Sequence, residues 1–191
     1  MKACGLACLL LAGCVAPPDK PPIPKPGSGI AEYREVVKHA HRAVADTVDS
    51  LQTIARDPNR SLADFDRTFD QLELNSVRAR SRAEAIIARG QNYFDEWKEQ
   101  LALTNKPSAQ ADYDRLYGHF TLIRERSREV REEFRPFMAN LRQFRASVDV
   151  TRRPAPDEID ALTTSGQRVL KSLDSVSAAL NNAEAELHAK R

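Results

Sequence analysis

The chemically reactive side chains of this chain are few and unevenly placed. All three thiols, Cys4, Cys8 and Cys14, lie within the first 14 residues, so no disulfide can staple the rest of the 191-residue chain. The four histidines are scattered at positions 39, 41, 119 and 188, and the first two point away from each other on a helix, which is poor spacing for metal ligands. The G-x-S-x-G, H-E-x-x-H and phosphate-binding glycine-loop motifs are missing from the sequence. We therefore predict no catalytic residue, no metal site and no cofactor, and expect a protein that is not an enzyme.

Cys14 is the last residue of a short N-terminal sequence pattern. Lys2 precedes an apolar stretch that is too short to cross a bilayer as a helix, which takes roughly 20 residues. The stretch ends in Leu11-Ala12-Gly13-Cys14, which resembles the lipobox of bacterial lipoproteins. The resemblance implies that residues 1–13 are a signal peptide removed before Cys14. It also implies that membrane lipid supplies a diacylglyceryl group to the Cys14 thiol and an acyl chain such as palmitate to the new amine. An ordinary cleaved secretory signal is the alternative.

Acylation of Cys14 implies a location on a membrane surface. Two or three acyl chains anchor a protein stably, because each buried methylene contributes about 0.8 kcal/mol. A mature chain that keeps no free thiol suits an oxidising compartment such as the cell envelope. Val15, and not an aspartate, follows the cysteine, which by analogy with other lipoproteins favours the outer membrane facing the periplasm over the inner membrane.

A proline-rich segment separates Cys14 from the rest of the chain. Residues 15–29 contain six of the 11 prolines, and proline fixes φ while removing a backbone donor. We expect residues 14–29 to form an extended tether of roughly 45 Å, at about 3.1 Å per residue, with Gly27-Ser28-Gly29 as a flexible joint. The alternative is a ligand for a proline-recognition domain.

From residue 30 onward, apolar residues recur at alternating steps of three and four, which is the spacing of helices packed through heptad seams. The pattern predicts an all-α domain over residues 30–191, with helices at about 30–57, 61–104, 108–151 and 156–188. Ser61 is the expected N-cap of the second helix. Pro136 interrupts the third helix at an outward position, so its effect there is a kink without loss of a core side chain.

Short connections between these helices predict an antiparallel four-helix bundle, or coiled coil. Folding back near residues 105–107 places Leu72 opposite Leu141 and Phe69 near Phe144. The two central helices are the longest, so residues 89–120 should protrude as a two-helix hairpin. The hairpin holds six of the 12 aromatic residues, and four of these are candidate partner-binding residues as well as candidate core residues: Tyr93, Trp97, Tyr113 and Tyr117.

Two further groups have alternative interpretations. Arg78, Arg80, Arg82 and Arg89 make the second helix locally basic, and we expect them to pair with Glu125, Glu129, Glu132 and Glu133 of the third helix. A patch that binds lipid headgroups or cell-wall polymer is the alternative. A layer of small residues is expected to permit close helix packing, or else to leave a cavity for an apolar ligand: Ala79, Ala83, Ser127 and Gly166.

One segment of the second helix is distinctive. Tyr93-Phe94-Asp95-Glu96-Trp97, followed on the third helix by Phe134-Arg135-Pro136-Phe137, resembles a bacterial long-helix domain family of unknown function over roughly residues 62–180. This chain differs in carrying Lys98, where an acidic residue is expected, and in its lipobox and tether. The resemblance implies a helical fold and transfers no site residue.

The sequence as a whole favours a non-enzymatic function. The net charge is only +2, so there is no electrostatic footprint for nucleic-acid binding. We expect a membrane-anchored envelope lipoprotein that acts as a coiled-coil scaffold or protein-docking element, with membrane lipid and a protein as partners. A binding module for an apolar or amphiphilic ligand within the bundle is the alternative, and assembly into a homo-oligomer stays open.

Overall fold

The structure, a computed structural model, describes residues 26–56, 58–104, 107–148 and 154–189. These residues form four helices and no strand: α1 (Pro26–Arg56), α2 (Pro58–Thr104), α3 (Pro107–Ser147) and α4 (Pro156–His188). The predicted all-α class is therefore confirmed. The signal peptide, Cys14 and the tether as far as residue 25 lie outside the described residues.

Each of these four helices begins at a proline. Proline suits the first helical position, because its fixed φ is already helical and its missing N–H would have no partner there. As a result α1 begins at Pro26, and residues 26–29, which the sequence analysis assigns to the tether, are helical. Likewise α2 begins at Pro58, so Ser61 lies inside the helix and is not its N-cap.

The helices pack as a ring in which α1 contacts α2, α3 contacts α4, and α4 closes on α1. The ring is completed by α2 and α3, whose backbones approach each other less closely than those of the other three neighbouring pairs. Large rings fill the space between them, such as Phe65 and Phe144, whose centroids lie 5.3 Å apart in an edge-to-face arrangement.

The contacts between α2 and α3 occur in reverse order along the two helices. Near the start of α2, the Arg145 guanidinium of α3 lies 2.9 Å from the Asp66 carboxylate and 2.6 Å from that of Asp70. Near the end of α2, Phe94 contacts Tyr113 in the first turns of α3, with ring centroids 5.9 Å apart. The two helices therefore run in opposite directions.

The main core contains side chains of all four helices, including the fully buried Leu51, Phe69, Phe137 and Val169. Helix α3 continues through Pro136, which is exposed, while the next residue, Phe137, has no exposed surface. The outward placement expected for this proline is therefore observed. Within the described ranges, no helix is long and apolar enough to cross a membrane.

Candidate functional site

Six aromatic side chains form a cluster at the far end of α2 and α3, hereafter the tip cluster: Tyr93, Phe94, Trp97, Tyr113, Tyr117 and Phe120. Phe94 lies at its centre, with its ring centroid 5.2 to 6.2 Å from those of the other five rings. On α2, Trp97 follows Phe94 by three residues and Tyr93 by four, and the three rings of α3 follow one another at steps of four and three, so each set lies on one side of its helix. The apolar residues packed around the cluster also belong to α2 and α3, so only two helices build this part of the protein.

The structure brings the four residues predicted for partner binding into this one cluster, but their exposure differs. Tyr113 is only 8% exposed and packs between Phe94 and Trp97, so it serves the packing of the hairpin. Tyr93, Trp97 and Tyr117 are half-buried and keep part of their surface in solvent. Partner binding by these residues stays a prediction, and Tyr113 can contribute to it only through its neighbours.

An exposed leucine near the end of α2 adds apolar surface that was not predicted from the sequence. Leu103 is 87% exposed, whereas Leu101, two positions earlier, is buried in the hairpin. Two helical residues that are two positions apart point in nearly opposite directions. An apolar residue two positions after a buried one therefore faces outward. That spacing is the signal that could have identified Leu103.

The surroundings of the tip cluster are acidic. Residues 91–115 carry five carboxylates and three cations. Two of the carboxylates accept hydrogen bonds from glutamine side chains one turn away, Asp95 from Gln91 at 2.9 Å and Asp114 from Gln110 at 2.8 Å. Arg115 pairs with Glu186 of α4 at 2.9 Å. The excess of carboxylates is small, because the Arg124 guanidinium also lies 6.0 Å from the Phe120 ring centroid of the cluster.

An apolar cleft of about 340 Å³ lies at the base of the hairpin, between the main core and the tip cluster. All four helices line it, and its apolar lining includes Ile30, Ile87, Leu116, Phe120 and Leu187. Gly90 also lines the cleft, and a Cβ atom there would lie 2.5 Å from the Phe120 ring. The absence of a side chain at this position therefore lets the ring lie against the α2 backbone.

Tyr33 provides a polar group in the lining of this cleft. Its hydroxyl donates a hydrogen bond to Ser127 Oγ at 2.6 Å, and Ser127 Oγ in turn donates to the Ile123 carbonyl at 2.6 Å. Burial raises the pKa of Tyr33 above its ordinary value of 10, because the phenolate would lose hydration. The hydroxyl is therefore protonated at neutral pH and is satisfied within the protein.

The close packing expected at the small-residue layer is observed at Gly166 and Ser127, whereas Ala79 lines a separate recess between α1 and α2. A Cβ atom at Gly166 would lie 2.4 Å from Val48 Cγ2 and 3.2 Å from the Phe137 ring, so these side chains occupy the space. Ser127 of the same layer is engaged with Tyr33. The apolar cleft lies nearer the tip, where α1 begins and α4 ends.

The expected pairing of the α2 arginines with α3 glutamates is wrong. Glu129 pairs with Arg126 at 2.8 Å and Glu132 with Arg128 at 3.8 Å, both within α3, and Glu133 lies 4.0 Å from Arg168 of α4. Arg89 pairs with Glu32 of α1. The remaining three arginines form no ion pair with any described residue: Arg78, Arg80 and Arg82. Heptad spacing identifies the outer faces of helices, but it does not determine which neighbour each face meets.

The described segments contain no group of three or more His, Cys, Asp or Glu side chains that could hold a metal ion. Cys14, the predicted lipidation site, lies outside those segments. Comparison of the chain with protein-family models, curated proteins and solved structures gives no match.

Proposed function

We propose that this protein is a non-enzymatic envelope lipoprotein, anchored by acylated Cys14, that docks a protein partner through the tip cluster. The observation that carries the proposal is the two-helix construction of the hairpin. Because the cluster is packed only by side chains of α2 and α3, Tyr93, Trp97 and Tyr117 are no more than half-buried. Tryptophan and tyrosine anchors of this kind dominate the binding energy of protein interfaces.

The charge around the tip indicates the chemistry of the partner. The carboxylates of residues 91–115 outnumber the cations, so an anionic lipid surface would repel this region. An apolar groove with a basic rim would instead complement both the rings and the surrounding carboxylates. The partner is therefore a protein with such a groove.

The position of α1 restricts where that partner lies. Ser28 and Gly29, in the first turn of α1, line the cleft at the base of the hairpin, so α1 begins at the hairpin end of the bundle. The segment from Cys14 to the start of α1 reaches at most roughly 40 Å when fully extended, at about 3.3 to 3.6 Å per residue. We therefore expect Cys14 and the tip cluster to lie at the same end of the bundle, and the partner to lie at or near the membrane that holds Cys14.

Substitution of the single tryptophan tests docking. We expect Trp97→Ala to reduce recovery of a crosslinked partner from membranes by about 30-fold, because loss of a central aromatic anchor weakens binding by about 2 kcal/mol or more. Val77→Ala, at a 65% exposed position of the same helix, is the matched control and should leave recovery unchanged. Equal recovery from both variants would argue against docking through the tip.

The apolar cleft favours a second function, the binding of a single-chain amphiphile. Its volume of about 340 Å³ lies at the low end of small-molecule sites, and apolar side chains dominate its lining. Glu32, Arg89 and His119 also line it, so an apolar chain inside the cleft could be joined to a polar headgroup outside. This supports an amphiphile in preference to a purely apolar ligand.

Dodecanoic acid, titrated below its micellar concentration into the Cys14→Ser protein, tests this second function by calorimetry. Ile87→Trp adds bulk to a half-buried lining position and should weaken binding by about tenfold or more, whereas Val77→Trp, exposed on the same helix, should not. No heat of binding to the unsubstituted cleft, or an equal effect of the two variants, would exclude the cleft as the amphiphile site.

A further inference from the structure

A second, smaller recess lies between α1 and α2, hereafter the α1–α2 groove. Its volume is about 210 Å³, and its polar lining consists of His39 from α1 and of Asn75, Arg78 and Arg82 from α2. The other lining side chains are valine and alanine, and no carboxylate is among them. Two guanidinium groups, an imidazole and an amide therefore line one small volume.

The two arginines of this groove have no counter-ion within the described segments. Both are exposed, and since they are four residues apart they lie on the same face of α2. Between residues 74 and 90 the only carboxylate of α2 is Glu84, which is two positions from Arg82 and so points to the other side of the helix. No carboxylate within residues 74–90 of α2 therefore faces the two groove arginines.

The carboxylates on the neighbouring turns are already paired with other cations. On α1, Glu32 pairs with Arg89, and Glu35 lies 3.9 Å from Lys38. On α2, one turn before the groove, Glu73 pairs with Arg142 of α3 at 2.7 Å. None of these carboxylates is paired with an arginine of the groove.

From this arrangement we propose that the α1–α2 groove binds a phosphate group. Guanidinium groups hold phosphate oxygens through paired N–H donors, and two arginines on adjacent turns present two such forks to one anion. Asn75 and His39 supply further hydrogen-bonding groups from opposite walls. The volume is below the usual range of roughly 300–1,000 Å³ for whole small molecules, so the groove suits a phosphate group with the remainder of its carrier outside.

Phosphate of this kind comes either from a soluble ester or from the headgroup of an anionic lipid. The full-length protein, purified in a neutral detergent, is titrated at low ionic strength with inorganic phosphate in one arm. In the other arm the micelles are doped with phosphatidylglycerol or, for comparison, with zwitterionic phosphatidylcholine. Binding of inorganic phosphate identifies a soluble source, and retention of phosphatidylglycerol alone identifies a lipid source; either result supports the groove.

Arg82→Gln is the test variant and Arg135→Gln is its matched control. Arg135 is exposed on α3 and, like Arg82, has no ion pair with a described residue, so the two substitutions remove the same charge from surfaces of similar exposure. In the arm that shows binding, Arg82→Gln removes one charge-assisted contact and should weaken binding by about tenfold or more. Arg135→Gln should weaken it by less than about twofold. Helicity measured by circular dichroism should be unchanged in both.

Two results would overturn the proposal. One is the absence of binding in both arms. The other is an equal loss of binding in the two variants, which would mean that net charge attracts the anion and that the groove does not recognise it. The outcome is independent of docking by the tip cluster, because the groove and the cluster share no residue.

Discussion

Cys14→Ser is expected to move the protein almost completely from the membrane fraction to the soluble fraction. A serine cannot form the thioether to a diacylglyceryl group, so the variant loses every acyl chain. At about 0.8 kcal/mol per buried methylene, two chains contribute on the order of 10 kcal/mol or more to membrane attachment.

Fractionation combined with intact mass measurement checks this expectation. The membrane-extracted protein should begin at Cys14 and carry the added mass of its acyl groups, whereas Cys14→Ser should carry none. Cys8→Ser is the matched control, because Cys8 lies within the proposed signal peptide and should be absent from the mature chain. An unmodified Cys14 in the purified protein, or a serine variant that stays in the membrane fraction at the normal level, would refute anchoring at this residue.

Phe137→Ala is expected to lower the free energy of unfolding by about 3–5 kcal/mol. Phe137 is fully buried, and its ring packs against the backbone of Gly166 on α4. Removal of a buried phenyl ring forfeits its transfer free energy and leaves a cavity that tightly packed neighbours cannot fill. Urea denaturation of the Cys14→Ser protein, followed by circular dichroism, measures the change.

Val77→Ala provides the comparison, since an exposed position should change stability by less than about 0.5 kcal/mol. The result also reports on the small-residue layer around Gly166. A loss of stability as small as that of Val77→Ala would mean that Phe137 does not fill this layer. An apolar ligand site at the centre of the bundle would then become possible again. A loss in the expected range would mean that the Phe137 ring fills the space beside Gly166 and leaves no room for a ligand there.

The helices and their relative register could be predicted from the sequence, because both follow from the spacing of apolar residues. The heptad positions of Phe65, Leu72 and Leu141 are buried, and Phe65 meets Phe144 within about one turn of the predicted pairing. The gathering of Tyr93, Trp97, Tyr113 and Tyr117 into one cluster follows from the same fold-back. These features depend on local periodicity and on the lengths of connections.

Features set by the relative rotation and the ends of the helices could not be predicted in the same way. Whether Arg78 and Arg82 meet a carboxylate depends on which neighbour faces each side of α2, and a heptad pattern does not specify this. The apolar cleft exists because α1 begins and α4 ends near Gly90 and Phe120. The helical start at Pro26, in a segment otherwise assigned to the tether, reflects proline's fixed φ and carries no apolar periodicity.

Site-specific photocrosslinking in intact cells tests tip docking most directly. A photoreactive phenylalanine analogue is placed at position 97 in the tip cluster and, in separate proteins, at the exposed control positions 77 and 135. We predict one discrete membrane-associated protein adduct from position 97 and none from the two controls. No adduct at position 97, or the same adducts from all three positions, would contradict the proposal that the tip is where this protein meets its partner.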